Sequence, residues 1–208
     1  MQFETFKSII PQLEQKPLAG DAAHNEVMNL KVRFNLFKEL RHPDKMKASA
    51  VLALFYPDQN SETRLLFILR KTYDGHHSGQ IAFPGGKQEK TDRNLIETAF
   101  RETFEEVNVQ PQDIKIIKPL SEVHIPISNY RVQPYLAYAE NKPDFVKDEL
   151  EVEKILEFPL KKILDKNLIQ IEKTYFNRKY QLAAFQIDGY VIWGATAMIL
   201  SEIIQLFD

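Results

Sequence analysis

Four of the seven glycines in this 208-residue chain lie between Gly75 and Gly86, and an acid-rich helical pattern follows them closely. Glycine lets the backbone reach positive φ or approach another group without a Cβ in the way. The segment Gly79-Gln80-Ile81-Ala82-Phe83-Pro84-Gly85-Gly86 runs from a short apolar piece into a Pro-Gly-Gly turn. Such a loop has two readings. It is a plain turn between strand and helix, for which Gly and Pro are the usual residues. Or it presents backbone N–H and C=O groups to a phosphate or a metal.

The periodicity after the loop predicts a helix over Asp92 to Val107. With Ile96 at 0°, Phe100, Phe104 and Val107 fall at about 40°, 80° and 20°, and Thr103 near about 340°, so they form the predicted core-facing stripe. Glu102, Glu105 and Glu106 fall at about 240°, 180° and 280°, on an arc beside it. Glu102 and Glu106 are i,i+4, and like charges at that spacing destabilise a helix by about 0.2–0.5 kcal/mol. The helix macrodipole also disfavours anions in the C-terminal half. A hard divalent cation would offset both effects, since Mg²⁺ is held by one or two carboxylates together with substrate phosphates. The alternative is a solvated acidic face with Arg101 as local counter-ion. Asn108 is placed to end the helix in the left-handed region.

The remaining chain bounds what surrounds this pair of features. It is 44% hydrophobic and 27% charged with a net charge of −2, which is ordinary for a globular protein and too balanced for electrostatic binding of nucleic acid or a membrane surface. The absence of cysteine excludes a disulfide framework, a thiol nucleophile and a Cys-based metal site. The start MQFETFKSII has no apolar signal region, the longest apolar run is Ala50 to Tyr56, and the end Leu206-Phe207-Asp208 carries no targeting signal, so a cytoplasmic protein is expected.

Residues 1–45 are expected to be an N-terminal helical extension and residues 46–208 the main domain. Phe3, Phe6, Ile10 and Leu13 recur at helical spacing, with Pro11 disturbing the middle, and a second helical stretch runs from Ala22 to Leu40. His42-Pro43-Asp44 reads as a break. Strands are predicted at Ala48–Tyr56, Thr63–Lys71, Ile114–Val123, Val132–Ala139 and Val152–Leu156. A short helix after Pro159, a hairpin over Tyr175–Ile187 and a closing helix over Ala195–Phe207 complete the reading. Strands and helices in mixed order imply an α/β (α+β) layered domain.

Loop and helix together are more specific than either alone. Gly86 to Val109 resembles the Nudix box, G-x5-E-x7-R-E-U-x-E-E-x-G-U with U apolar. Arg101-Glu102-Thr103-Phe104-Glu105-Glu106-Val107-Asn108-Val109 matches its second half, with Asn108 in place of glycine. In the first half the spacing to Arg101 is one residue longer, and Asp92, or else Glu89, takes the place of the first Glu. Upstream, Leu66 to Gly86 is similar to the segment preceding the box in coenzyme A pyrophosphatases, through Arg70, His77, Gly79, Gln80 and Phe83-Pro84-Gly85-Gly86. Ile192-Trp193-Gly194-Ala195-Thr196-Ala197 is similar to that subfamily's last helix. Lys71 and Gly75 depart from it, standing where a small residue and an arginine are usual.

The resemblance implies a Nudix-type α/β/α sandwich with a mixed β-sheet, hydrolysing a pyrophosphate bond in a nucleoside-diphosphate derivative with Mg²⁺ or Mn²⁺. Coenzyme A is the substrate implied first. ADP-ribose, a nucleoside triphosphate, or a non-catalytic nucleotide-sensing role are the alternatives. Glu102 and Glu106 are implied as metal ligands, Glu105 as a third ligand or a residue that positions water, and Gly86 as a backbone-carbonyl ligand. Arg101 is implied as a brace of the loop. The base is left open between a helix glutamate and a downstream acid; in the cluster Glu149, Glu151 and Glu153, Glu151 is chosen because Glu151-Val152 resembles the acidic spot in related chains, against the more common reading of such a cluster as a solvated charged face. Arg70, His77, Gln80, Phe83 and Gly85 are the implied substrate contacts. His76 is a further phosphate candidate. Trp193 is expected in the core, and Phe176, Tyr180 and Tyr190 either stack on an adenine or pack inside. The expected partner is a small-molecule nucleotide, with no nucleic acid and no membrane, and a homodimer left open.

Overall fold

The computed structural model describes residues 1–39, 46–72 and 79–208. The break predicted at His42-Pro43-Asp44, and Gly75, His76 and His77, lie outside the described residues. Three helices open the chain: α1 (Phe3–Gln15), α2 (Asp21–Val27) and α3 (Leu30–Lys38). The strands β1 (Lys47–Pro57), β2 (Thr63–Arg70), β3 (Ile81–Ala82) and β4 (Gly85–Lys87) lead to α4 (Leu95–Val107). Then come β5 (Lys115–Pro119), β6 (Val123–Ile125), β7 (Tyr130–Tyr138), β8 (Val152–Pro159) and α5 (Leu160–Leu164). The chain closes with β9 (Leu168–Tyr175), β10 (Arg178–Ile187), β11 (Tyr190–Ile192) and α6 (Gly194–Phe207).

Among the described residues, β1 to β8 form one sheet with the path β3-β2-β1-β7-β5, to which β4, β6 and β8 add on β1, β7 and β2. β1 runs parallel to β7 and antiparallel to β2 and β4, so the sheet is mixed. β1 and β2 are nearly continuous apolar runs because both of their faces are covered. One face sets Ala50, Leu52, Leu54, Leu66 and Ile68 against Ala99 and Val107 of α4. The other sets Ala53, Phe55, Leu65 and Phe67 against α1, α5 and α6. This is the expected α/β/α arrangement. Beside it, β9, β10 and β11 form a separate three-stranded antiparallel sheet.

The N-terminal helices pack into the same core. Phe3, Phe6, Ile10 and Leu13 are all buried, and the Phe6 ring lies 4.8 Å from that of Phe55. Burial of this stripe carries α1 unbroken through Pro11, despite the roughly 3 kcal/mol a proline costs inside a helix. Lys118 Nζ donates to the carbonyls of Leu13, Glu14 and Lys16 at 3.1, 3.0 and 2.6 Å, closing the helix end. The stretch predicted as one helix over Ala22–Leu40 is two. Met28 is extended, and Asn29 accepts from the Val32 N–H at 3.0 Å to start α3. The buried Glu202 carboxylate of α6 accepts from the N–H of Gly20 at 2.6 Å and from the N–H and Oγ of Ser121 at 2.8 and 2.7 Å, which fastens this region down.

Two strand predictions are corrected. Ile114–Val123 is β5 and β6, parted after Pro119, with a register shift between Ile116 and Lys118. The hairpin expected over Tyr175–Ile187 has its turn at the start of that range. β9 precedes it, and Phe176 and Asn177 make the turn with φ of 48° and 59°. β9 alternates exposed and half-buried residues, and Gln170, Glu172, Lys173 and Thr174 interrupt its apolar ones, which masks it as an apolar run.

Candidate active site

The glycine turn and α4 are built against each other. Gly85 has φ +149°, and a Cβ there would strike the Ala50 carbonyl and Val51. A Cβ at Gly86 would collide with the Glu102 carboxylate. The absence of both side chains therefore lets β4 lie on β1 on one side and receive α4 carboxylates on the other. Asn94 caps α4 by accepting from the Glu97 N–H at 3.0 Å. Asn108 ends it at φ 62°, its N–H donating to Phe104 O at 2.8 Å, so asparagine supplies the left-handed residue for which glycine is usual.

The wheel reading of α4 is corrected in its rotation. The buried residues are Thr98, Ala99, Thr103, Glu106 and Val107, while Phe104 is 41% exposed. The buried arc is turned by about 60° from the apolar stripe towards the acids. The reason lies in the partner surface: α4 is pressed on the Gly85–Gly86 backbone, which accepts carboxylates and offers little to phenylalanine.

Arg101 holds the loop. Its Nε and a terminal nitrogen each donate to Asp92 at 3.0 Å, and that nitrogen also donates to Lys87 O at 3.0 Å. Asp92 further accepts from the Glu89 N–H at 2.9 Å and from Thr98 Oγ1 at 3.0 Å. The Arg101 hydrogen bonds hold the Asp92 carboxyl down at about 2. Asp92, rather than Glu89, thus makes the contact expected at the first acidic position of the box.

The three α4 glutamates differ sharply. Glu106 is 2% exposed, and its Oε2 accepts from the Gly85 N–H at 2.8 Å. Its Oε1 lies 3.2 Å from an Arg70 guanidinium nitrogen, close enough for an ion pair but without hydrogen-bond alignment. Burial pushes its pKa up to about 7, against the opposing pull of Arg70 and the Gly85 N–H. Glu102 is partly buried against Gly86 and 3.0 Å from Arg101, and burial raises its pKa too. Glu105 has an exposed side chain and turns to Arg101 at 2.9 Å.

Glu151 reaches the same place from a distant segment. The loop before β8 hooks onto the end of α4, with the N–H groups of Val146 and Asp148 donating to Val107 O and Glu106 O at 3.2 and 2.9 Å. Asp148 Oδ1 accepts from the Glu151 N–H at 2.8 Å, and the Lys71 N–H donates to Glu151 O at 2.9 Å. The exposed Glu151 carboxylate then stands 3.7 Å from Arg70, and its charge acts on both Glu102 and Glu106. Glu149 pairs instead with Lys147 at 3.0 Å, and Glu153 is exposed.

Arg70, Gln80, Phe83, Gly85 and Gly86 border a cavity of about 890 Å³ on the sheet face opposite α4. Phe83 is 1% exposed and stacks on Phe67 with ring centroids 4.6 Å apart, so it braces the wall as a core residue. The Arg70 N–H donates to Gln80 O at 3.0 Å, pinning both beside the turn. His77 lies outside the described residues. Trp193, expected in the core, lines the cavity together with Phe176. Tyr180 is buried, and Tyr190 sits near Phe158, neither of them on the wall. Tyr175 was not singled out by sequence reasoning; its alternation with Ile169, Ile171 and Lys173 in β9 is the signal that places it on the inner face.

Among the described residues, no group of three or more His, Asp or Glu side chains is assembled as a ready-made metal centre. Arg101 pairs with Asp92, Glu102 and Glu105, and Arg70 with Glu106 and Glu151. The donor set nevertheless fits a hard cation that takes one or two carboxylates and completes its shell from phosphates and water. Glu102 and Glu106 flank the glycine turn, and the buried Glu106 Oε1 has no hydrogen-bond donor.

A mixed sheet between helices, with a glycine turn seating the carboxylates of an R-E-x-x-E-E helix, defines a Nudix protein. The chain belongs to the Nudix family: the NUDIX domain model matches residues 46–178. It is a hydrolase of the class that acts on pyrophosphate bonds in nucleotide derivatives. Among its relatives, the uncharacterized Nudix hydrolase NudL of Pectobacterium atrosepticum is 31% identical over 172 residues, covering 80% of this chain and 85% of that one. Nudix hydrolase 15, mitochondrial, of Arabidopsis thaliana is 31% identical over 172 residues, covering 77% of this chain and 59% of that one. The crystal structure of a MutT/nudix family protein from Enterococcus faecalis overlays with a TM-score of 0.50 at 16% identity, covering 93% of this chain and 74% of that one, which agrees in fold. No helix among the described residues is long and apolar enough to cross a membrane.

Proposed function

We propose that the chain hydrolyses coenzyme A at its pyrophosphate, with Mg²⁺ or Mn²⁺, to 3′,5′-ADP and 4′-phosphopantetheine. The observation that carries the chemistry is Glu106. It is a buried carboxylate aimed at the Gly85 backbone, with one oxygen lacking a donor. Burying such a charge is costly, and Arg70, 3.2 Å from that oxygen and shared with Glu151, offsets the cost only in part, which a bound cation would complete. Glu102 and Glu106, with the Gly86 carbonyl, would hold the cation. The cation would neutralise phosphate oxygens and lower the pKa of a bound water.

The chain's own residues supply the rest. Arg70 stands at the cavity border, where its guanidinium, between Glu106 and Glu151, would bind a phosphate oxygen. Glu151, exposed and close to Arg70, is positioned to accept the proton of the attacking water. Arg101 and Asp92 fix the turn so that its backbone does not have to reorganise during the reaction. Glu105 holds Arg101 from the solvent side.

The choice of coenzyme A is supported by the likeness of Leu66–Gly86 and Ile192–Ala197 to coenzyme A pyrophosphatases. Both segments border the cavity. The test is incubation of the protein with coenzyme A and Mg²⁺ or Mn²⁺, with chromatography of the products. Appearance of 3′,5′-ADP and 4′-phosphopantetheine is the expected result. Cleavage of ADP-ribose or nucleoside triphosphates with coenzyme A left intact would overturn the substrate assignment.

A further inference from the structure

The cavity has two unlike walls. At one end Met28, which follows α2, and Leu36 of α3 meet Ile125 and Ile127, a mostly aliphatic surface with the Tyr130 ring beside Ile125 and His124 next to it. At the other, Tyr175, Phe176 and Trp193 are presented by the small sheet and the approach to α6. Flat rings stack on flat rings and gain little specific from a flexible chain. The wall is therefore suited to the planar half of a nucleotide and the aliphatic end to its flexible half.

From this asymmetry we infer that Trp193, Tyr175 and Phe176 form the base-recognition site of this hydrolase and decide its selectivity for nucleoside-diphosphate derivatives. The inference rests on the reading of the glycine turn as the diphosphate site. Continuity supports it: Thr196, three residues after Trp193, donates its Oγ1 to Ile81 O at 3.0 Å, tying this end of α6 to the strand that leads into Gly85 and Gly86. The same cavity touches Arg70 and both glycines. Lys173 Nζ lies 4.1 Å from the centre of the indole, a cation–π contact that fixes the Trp193 ring.

Phe176 carries a second sign of selection for position. It is 49% exposed at the tip of the β9–β10 hairpin, with φ 48°. Positive φ is unfavourable for a bulky side chain, and two-residue hairpin turns of this kind favour Asn and Gly. Folding alone gives no reason to hold a phenylalanine there, whereas a ring at the rim of a base site does. Trp193 and the helix behind it lie beyond residue 178, where the NUDIX match ends. Tyr175 and Phe176 lie just inside that match, so the wall spans its C-terminal edge, apart from the Gly86–Val109 segment.

Trp193 is the only tryptophan in the chain, so its fluorescence reports on this wall without labelling. The full-length protein is titrated with ADP, and with inorganic pyrophosphate as a control that lacks a base. Saturable quenching by ADP and none by pyrophosphate is expected. In turnover assays Trp193→Leu is expected to raise KM for the nucleotide substrate about ten-fold, with Trp193→Phe in between, a size consistent with one stacking contact. Phe176→Ser, at an exposed tip, is expected to raise KM about three-fold and to weaken the ADP half-saturation to match, and it remains informative if Trp193→Leu fails to fold. Unchanged KM in folded Trp193→Leu, or in Phe176→Ser, would overturn the inference. So would unaltered fluorescence at ADP concentrations that inhibit turnover. Coenzyme A hydrolysis without quenching would refute the base site alone. Quenching without coenzyme A hydrolysis would keep the base site and refute the substrate.

Discussion

The two sides of the main sheet solve different problems. On the α4 side, chemistry is concentrated in one turn of glycines and one helix, where charges are held by fixed partners: Glu106 by Gly85, Arg101 by Asp92, Glu102 against Gly86. On the opposite side, the cavity is walled by residues from α3, β1, β6, β7, β9 and α6, with Met28 before α3. The first region is a local device that depends on side-chain identity. The second is a space, defined by how distant segments happen to meet. Loss of a buried group such as Glu106 should therefore abolish function on the α4 side, whereas on the cavity side a single loss should grade affinity or stability.

The largest contrast is expected from Glu106→Gln. Its kcat should fall about 10³-fold, as measured at saturating substrate and Mg²⁺. Its thermal midpoint in EDTA should not fall, because the variant removes a buried charge that folding alone does not need. A midpoint that collapses along with kcat would make Glu106 a structural residue and break the comparison. Phe6→Ala tests the other side. Deleting a fully buried ring that packs on Phe55 should lower stability by about 3 kcal/mol in denaturant titration. Its kcat should stay near wild type in the folded fraction.

Asp92 sharpens the comparison through pH. Its folded pKa, about 2, lies below the ordinary 3.8, so its stabilisation is complete above pH 3.8 and is lost as pH falls from there towards 2. Asp92→Asn should lose about 1 kcal/mol at neutral pH, after allowance for solvent screening, and show a flatter decline of stability across that acid window. The smallest effect is expected at Glu105. Its side chain is exposed and pairs with Arg101, so Glu105→Gln should reduce kcat by less than about ten-fold. A loss equal to that of Glu106→Gln would mean that all three glutamates act alike.

Legibility in the sequence follows the same division. Arg101, Glu102 and Glu106 were legible because helical spacing fixes their relative directions whatever surrounds them. The end of α4 was legible from Asn108, whereas its start, expected at Asp92, falls at Leu95 after the Asn94 cap, because Asp92 is held in the loop by Arg101. The rotation of α4 was not, since periodicity ranks Phe104 as core, and only contact with a bare glycine backbone makes Glu106 the inward residue. Glu151 stood in a cluster of three similar acids. Its distinction from Glu149 and Glu153 arises from the hook of Asp148 on the end of α4. Trp193 reads as core by hydrophobicity, yet it lies on a wall because β9 and α6 leave space before it.

By itself, the sequence determined the strand–turn–helix unit of the candidate site, since its glycines, C-cap and i,i+4 carboxylates act over a few residues. It determined as well the alternation of strands and helices that yields a layered fold. Tertiary structure decided which carboxylate is buried, which distant acid joins it, and which aromatic rings face the cavity. Those outcomes depend on desolvation and on contacts between segments far apart in the chain, and no local pattern encodes a contact whose other half lies a hundred residues away.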